Sequence, residues 1–249
     1  MHRFYAPDLS PGDAHVTLPR AESEHLTRVL RLGAGDAVAV FDGRGREYLA
    51  TVAAGAGRDV RVEIVRALRA AAEPEVAITL VQAVLKGEKM DDVVRDAVMM
   101  GAAAVQPVVT RRSETTVAAL ARAGRVERWT RVALASAKQC GRAVLPDIRQ
   151  PLSFEAWLDE PPASLRVLLV EPRADDAGRP TEAVSSLSRG NRPADVAVAI
   201  GPEGGWTTEE RVAAAARGCR LVTLGTRTLR ADAAPVAALA VLQFVWGDL

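Results

Sequence analysis

Residues 195–218 read DVAVAIGPEGGWTTEERVAAAARG. The first six letters form an apolar run typical of a buried strand, and an alanine-rich helical pattern follows the two threonines. Thr207 or Thr208 is suited to cap that helix, with Glu210 reaching back in a capping box. The glycines between strand and helix permit positive φ angles and close approach of a ligand. A tight turn without a ligand explains the loop equally well at this point.

The same alternation of strand and helix extends from residue 76 to the end of the chain. Short apolar runs predict strands at 76–85, 104–110, 166–171, 195–201 and 220–225. Helical patterns separate or follow them at 89–101, 126–141, 207–218 and in the apolar C-terminal stretch. Strands that alternate with helices predict an α/β fold with a parallel sheet covered on both faces.

The first part of the chain has a different pattern. Between Asp36 and Arg66, apolar and polar residues alternate around the turn signal Asp42-Gly43, which indicates strands and hairpins. Residues 68–75, LRAAAEPE, break this periodicity and include Pro74, which is typical of a boundary. We therefore predict a small, mostly β domain over 1–70 and an α/β domain over 74–249.

Composition narrows the function classes. The 249 residues are 49% hydrophobic with a net charge of +1, as expected of a globular protein that is not a polycation. Residues 111–150 nevertheless hold nine basic and three acidic side chains, a surplus of six charges that favours a local nucleic-acid surface. No secretory signal or Cys/His metal spacing is visible, and the apolar residues 233–246 are too few to span a membrane. We expect a cytoplasmic protein without a metal.

Two loops are candidates for a ligand site. In open α/β sheets, ligands bind beyond the carboxyl ends of the strands, where GPEGG (201–205) and LGTRTLRADAAP (224–235) both fall. Neither loop matches the Walker or the G-x-G-x-x-G phosphate motif. Asp232 can cap the last helix. Arg230 is either a solvated charge or a group that anchors a carboxylate or orients a base.

GPEGGWTTEE (201–210) followed by LGTRTLRADAA (224–234) resembles the signature of the RsmE family. These SPOUT-class methyltransferases methylate N3 of a uridine in 16S ribosomal RNA. The resemblance covers nearly the whole chain in order. It continues in HLTRVLRLGAGD (25–36), FDGRG (41–45), LKGEKMDDVVRDAVMMGAAAVQPVVTRRSE (85–114) and RWTRVALASAKQCGRAVLPDI (128–148).

The resemblance implies a SPOUT-type parallel sheet with a trefoil knot, an N-terminal PUA-like β-barrel that binds RNA, and a homodimer. It also implies S-adenosylmethionine as the cofactor. The implied cofactor-binding residues are Val170, Glu171, Ile200, Gly201, Gly204, Gly205, Leu224, Gly225, Leu229 and Arg230. One departure concerns the family's usual L-R-T-E-T or L-R-T-E-A, which reads Leu229-Arg230-Ala231-Asp232-Ala233 here. This change puts in question a catalytic duty for the acidic residue.

Methylation of uracil N3 requires removal of a weakly acidic proton or stabilisation of the negative charge that develops on oxygen. Arg230 is our candidate for orienting the base or stabilising that charge, and Asp232 or Glu203 for accepting the proton. The resemblance implies 16S ribosomal RNA in the small ribosomal subunit as the partner. Candidate RNA-binding residues are Arg28, Arg31, Lys86, Lys89, Arg111, Arg112 and Arg142.

Other functions fit parts of this pattern. Each candidate RNA-binding side chain, taken singly, has the commoner explanation of a solvated surface charge. A non-catalytic ribosomal RNA-binding or assembly protein that retains the fold is an alternative, favoured by Ala231 and Asp232. A third interpretation is a methyltransferase that acts on a ribose 2′-hydroxyl, which the set of motifs disfavours.

Overall fold

The computed structural model describes residues 1–54, 59–172, 181–189 and 191–246. The chain divides into two compact units. The first combines Met1–Glu73 with Leu134–Leu145, and the second combines Pro74–Ala133 with Pro146–Leu249. The domain bounds predicted from the sequence, 1–70 and 74–249, stay a prediction. No sequence pattern indicated that residues 134–145 belong to the first unit.

The first unit contains a five-stranded sheet in the order β1-β3-β4-β5-β2 within the described residues. Its strands are β1 (Arg3–Tyr5), β2 (His15–Thr17), β3 (Ala37–Phe41), β4 (Glu47–Val52) and β5 (Arg61–Leu68). β1 pairs parallel with β3, and the other pairings are antiparallel. The predicted hairpin strands are confirmed. The three-residue strands β1 and β2 are too short to show the alternation on which that prediction rests.

Apolar side chains from all five strands form the core of this unit, with Phe4, Val38, Val40 and Val62 fully buried. A short helix α1 (Arg20–Glu24) continues into a π-helical turn over His25–Val29. Residues 134–145 belong to the same unit because Arg3 Nη1 donates to the Ala137 carbonyl at 2.8 Å and the Lys138 ammonium contacts the Glu22 carboxylate at 2.7 Å.

The second unit contains an all-parallel sheet in the order β11-β13-β10-β12-β6-β7-β8, with β9 also paired to β7, within the described residues. The five predicted strands are confirmed as its main members. The strands are β6 (Ala77–Ala83), β7 (Ala104–Val109), β8 (Asp147–Ile148), β9 (Leu152–Ser153), β10 (Leu165–Leu169), β11 (Glu182–Ala183), β12 (Asp195–Ile200) and β13 (Arg220–Thr223).

Helices connect these strands as the α/β pattern predicts. They are α2 (Lys89–Met99), α3 (Val117–Arg122), α4 (Arg125–Cys140), α5 (Phe154–Asp159), α6 (Thr208–Ala216) and α7 (Ala234–Trp246), with a 3₁₀ turn over Val184–Arg189. Within the ranges given above, no helix is both long and apolar enough to cross a membrane. The α/β fold with a parallel sheet is confirmed, whereas the knot is not established by these strand pairings and stays a prediction.

Candidate functional site

A cavity of about 230 Å³ lies in the second unit, at the carboxyl ends of β10, β12 and β13. This is the edge at which open parallel sheets bind ligands. Residues from the loops after all three strands line it, together with Lys89 at the start of α2. The lining residues are Lys89, Leu169, Val170, Glu171, Pro172, Ile200, Gly201, Pro202, Glu203, Gly205, Trp206, Leu224, Arg227, Thr228, Leu229, Arg230, Ala231, Asp232 and Ala234.

The loop after β12 depends on its glycines. Gly205 has a φ of +68°, and a Cβ atom there would collide with the Glu171 carboxylate. A Cβ atom on Gly201 would lie 3.2 Å from the Trp206 indole nitrogen. That nitrogen donates to the Leu169 carbonyl at 2.9 Å, and the Trp206 ring packs 4.6 Å from Phe154. The loop therefore turns back onto the end of β10 and leaves its backbone open to the cavity.

The helix after this loop begins with the predicted capping box, in which Thr207 is the cap. The Thr207 hydroxyl accepts from the Glu210 N–H at 3.2 Å, and the Glu210 carboxylate accepts from the Thr207 N–H at 2.8 Å. Glu210 is 2% exposed and also accepts from the Arg111 N–H at 2.9 Å. Arg112 donates to the Gly204 carbonyl. Arg111 is thereby attached to the first turn of α6, and Arg112 to the glycine loop, residues 201–205.

Glu203 extends from the glycine loop toward the start of α2. One carboxylate oxygen accepts from Lys89 Nζ at 2.9 Å and from the Lys86 N–H at 3.2 Å. Burial raises the pKa of Glu203, but these hydrogen bonds outweigh it, so that the pKa lies below the ordinary value. Glu203 is therefore a paired anion at neutral pH.

Arg230 and Asp232 lie side by side in the loop before α7. Arg230 Nη2 donates to Asp232 Oδ2 at 2.9 Å, and the Asp232 side chain is 27% exposed against 78% for Arg230. Partial burial raises the pKa of Asp232, but the Arg230 hydrogen bond and charge, with a smaller contribution from Lys89, leave it below the ordinary value. A carboxylate acceptor and a guanidinium donor thus share one edge of the cavity.

The expectation that Asp232 caps α7 is wrong. The first helical residue is Ala234, so Asp232 lies two positions before it, and its carboxylate accepts from Arg230. Pro235 occupies the first turn as predicted, where a missing N–H costs little. Asp232 therefore lines the cavity and pairs with Arg230, and it does not cap α7.

The structure brings together eight of the ten residues implied for cofactor binding. They are Val170, Glu171, Ile200, Gly201, Gly205, Leu224, Leu229 and Arg230. Gly204 does not line the cavity, because the Arg112 side chain packs against it, with Cδ 3.1 Å from where a Cβ atom would lie. Gly225 does not line it either; it has a φ of +115°, and no described atom lies within 4 Å of that position. All three proposed catalytic residues, Arg230, Asp232 and Glu203, do line the cavity.

The candidate RNA-binding residues fall into different environments. Lys89 lines the cavity, and Lys86 pairs with Glu114 at 2.5 Å. Arg28 and Arg31 are exposed in the first unit, and Arg111 and Arg112 are exposed in the second.

Arg142 differs from the other candidates. Its side chain is 7% exposed and paired with the Glu73 carboxylate, which it contacts through both Nε and Nη2. A guanidinium held in this way is not presented to a polyanion, and we give it a structural role.

Sequence reasoning missed Lys89, Arg227 and Thr228 as cavity residues. Arg227 and Thr228 lie inside the quoted motif at 224–235, so their position between predicted site residues could have indicated them. Lys89 lies more than 100 positions from Glu203 in the sequence. Lys89 follows β6 and Glu203 follows β12, and only the parallel pairing of these two strands brings the two residues together.

Comparisons with known proteins agree with this geometry. Residues 72–243 match the RNA methyltransferase domain family, and residues 18–65 match the PUA domain of RNA methyltransferases. A Synechocystis protein named ribosomal RNA small subunit methyltransferase E is 34% identical over 237 residues, which cover 93% of this chain and 73% of the relative. A protein of the same name from Aquifex aeolicus is 26% identical, with coverage of 98% and 99%.

Two solved structures resemble the whole chain. A ribosomal RNA small subunit methyltransferase E from Neisseria gonorrhoeae, bound to S-adenosyl methionine, has a TM-score of 0.86 and 30% identity and covers 100% of this chain and 99% of that one. A Legionella pneumophila protein, solved in complex with the bound cofactor SAM, has a TM-score of 0.89 and 29% identity, with the same coverage.

Proposed function

This chain belongs to the family of ribosomal RNA small subunit methyltransferase E proteins, and we propose that it methylates N3 of a uridine in 16S ribosomal RNA. It is an RNA methyltransferase that uses S-adenosylmethionine. The observation that supports the finer reaction is the Arg230–Asp232 pair at the edge of the cavity.

The residues present suit this cofactor. Apolar side chains of Val170, Ile200 and Leu224 offer a surface for an adenine ring, while the absence of a side chain at Gly205 leaves room for the Glu171 carboxylate at the cavity. The Glu171 carboxylate can accept hydrogen bonds from ribose hydroxyls or an ammonium group. When bound, the cofactor supplies an electrophilic methyl group on a sulfonium centre.

The Arg230–Asp232 pair matches one edge of uracil. The N3 position presents an N–H donor beside a carbonyl acceptor, and the pair presents a carboxylate acceptor beside a guanidinium donor. We assign Asp232 to hold the N3 proton and Arg230 to stabilise the negative charge that develops on the neighbouring oxygen. Preorganised charge and a positioned acceptor each contribute on the order of 10²-fold or more to rate.

Glu203 serves this site differently. Its carboxylate already accepts from both Lys89 and the Lys86 backbone. We assign Glu203 to hold Lys89 at the cavity, where the ammonium adds a second positive charge near Asp232. Glu203→Gln should therefore slow methyl transfer less than Asp232→Asn.

Exposed basic side chains are the candidates for contacts with RNA phosphates. We assign phosphate contacts to the exposed Arg28, Arg31, Arg111 and Arg112, with Lys86 and Lys89 near the reaction site. The resemblance further supports a homodimer, a knotted sheet and a cytoplasmic location with the ribosome. Phe244, which is 72% exposed on the apolar helix α7, is a candidate dimer contact.

The test is the identity of the product. Purified protein, S-adenosylmethionine with an isotope-labelled methyl group, and 16S ribosomal RNA or 30S subunits lacking the modification are incubated, and the RNA is digested to nucleosides. Mass spectrometry should find the label in 3-methyluridine at one position. Label in a ribose methyl group or in another base would refute the proposed reaction, and no label would favour a non-catalytic RNA-binding protein.

A further inference from the structure

A second cavity of about 330 Å³ lies at the carboxyl ends of β6 and β7, between the start of α2 and the helices α3 and α4. Its apolar lining includes the buried side chains of Leu85, Met90, Leu120 and Trp129, together with the less buried Ala119 and Ala123. Its polar wall includes Lys86, Glu114 and Arg125. A pocket that combines apolar side chains with a polar rim suits a nucleobase and its phosphate.

Trp129, which lines this cavity, has a polar atom without a hydrogen-bond partner in the part of the chain that the structure describes. The residue is 2% exposed, and its indole nitrogen is buried without an acceptor among the described residues. Buried polar groups nearly always have a hydrogen-bond partner, and each exception calls for an explanation. The indole N–H can only donate, so the missing partner is an acceptor such as a base carbonyl or ring nitrogen.

The second cavity adjoins the first through residues 86–89. Lys86 lines the second cavity, and its backbone N–H donates at 3.2 Å to Glu203, which lines the first. Lys89 also lines the first cavity and pairs with the same carboxylate oxygen at 2.9 Å. One short segment therefore has one lysine at each cavity. The two cavities share this segment as part of their lining.

We propose that the second cavity is a subsite for an unpaired nucleobase next to the target nucleotide, with Trp129 in its wall and Lys86 and Arg125 beside the phosphate. This inference rests on the proposed RNA methyltransferase function and goes beyond it, because the subsite selects the sequence around the modified uridine. Single-stranded RNA is commonly read through splayed bases that stack on aromatic side chains and donate or accept at their edges.

Neighbouring alanines on α3 provide a matched test. Ala119 lines the cavity, and Ala118 is exposed and does not. Ala119→Leu should fill the subsite, whereas Ala118→Leu adds the same side chain outside it. A second pair is Ala123→Leu, directly after α3, and Ala121→Leu within it; both residues are exposed, but only Ala123 lines the cavity. Thermal unfolding of the four variants checks that each is folded.

The assay uses an RNA oligonucleotide spanning the uridine that the wild-type protein modifies. Ala119→Leu and Ala123→Leu should raise its KM roughly five- to 100-fold, the range expected for one stacked base, with S-adenosylmethionine affinity unchanged. Ala118→Leu and Ala121→Leu should behave as wild type. Folded lining variants with the same KM as their controls would overturn the subsite, whereas a wild-type protein that methylates no RNA would overturn the proposed function instead.

Indole NMR reports on the pocket independently of activity. The chain has four tryptophans, and Trp129→Phe identifies the Trp129 indole N–H signal by its loss. Addition of the oligonucleotide should move that signal downfield in the wild type and in Ala118→Leu, but not in Ala119→Leu. The Trp157 signal serves as a reference, because Trp157 is 4% exposed and lines neither cavity. An unmoved Trp129 signal with RNA bound to the wild type would contradict the proposal.

Discussion

Replacement of Gly205 by alanine should weaken the binding of S-adenosylmethionine. The loss of affinity should be absent from a control variant with a similar loss of folding stability. Gly205 has a φ of +68°, a conformation that costs an L-residue about 1–2 kcal/mol. The reduced entropy of the unfolded chain offsets roughly 0.4–1 kcal/mol of this cost. The added Cβ must also displace the Glu171 carboxylate from the cavity wall. Loss of one hydrogen bond to that charged group would cost about 1.5–3 kcal/mol, or roughly ten- to 150-fold in affinity.

Gly218→Ala is the matched control. Gly218 has a φ of +83°, follows α6 and has no described atom within 4 Å of the added Cβ. Urea unfolding should show a similar loss of stability, on the order of 1 kcal/mol, in both variants. Isothermal titration with S-adenosylmethionine should show weaker binding only in Gly205→Ala. Equal affinity of both variants and the wild type would refute the role of Gly205 and Glu171 in the cavity.

Other changes have equally definite outcomes. Glu210→Gln should lower the free energy of unfolding by about 1–2 kcal/mol, since one of the two partly buried backbone N–H groups loses its charged acceptor, whereas the exposed Glu209→Gln should change it little in urea titrations. Arg28→Ala should lower the salt slope of RNA binding by about 0.7, the value of one single-strand phosphate contact, and an unchanged slope would exclude that contact. Arg142→Ala should destabilise the fold by about 3–5 kcal/mol in urea titrations, because it leaves Glu73 without its buried partner. Burial raises the pKa of Cys219 to about 11, so the folded state keeps a proton that the unfolded state loses above about 9; stability should fall between these pH values, and Cys219→Ala should remove that fall.

The five main strands of the parallel sheet were predictable because each coincides with a short run rich in apolar residues. The short strands β8, β9 and β11 have only two residues each, so that no periodicity can reveal them. The π-helical turn at His25–Val29 was equally invisible, since its sequence also fits an ordinary helix. Local patterns thus determine the main elements, while short edges and irregular turns depend on tertiary pairing.

The candidate site was predictable where its residues are neighbours in sequence. The glycine loop and the Arg230–Asp232 pair lie within two quoted motifs, and the structure places both at one cavity. The pairing of Lys89 with Glu203 and the burial of Arg142 against Glu73 depend on contacts across 114 and 69 positions. Such contacts follow from strand order and packing, which single-sequence patterns do not encode.

The role of the Arg230–Asp232 pair is tested most directly by single-turnover methyl transfer in Asp232→Asn. The substitution keeps the size of the side chain and removes the negative charge. At saturating S-adenosylmethionine and RNA, the rate should fall roughly 10²- to 10⁴-fold while both ligands bind as in the wild type. A variant that transfers the methyl group to uridine at the wild-type rate would contradict the assignment of Asp232 as the group that holds the N3 proton.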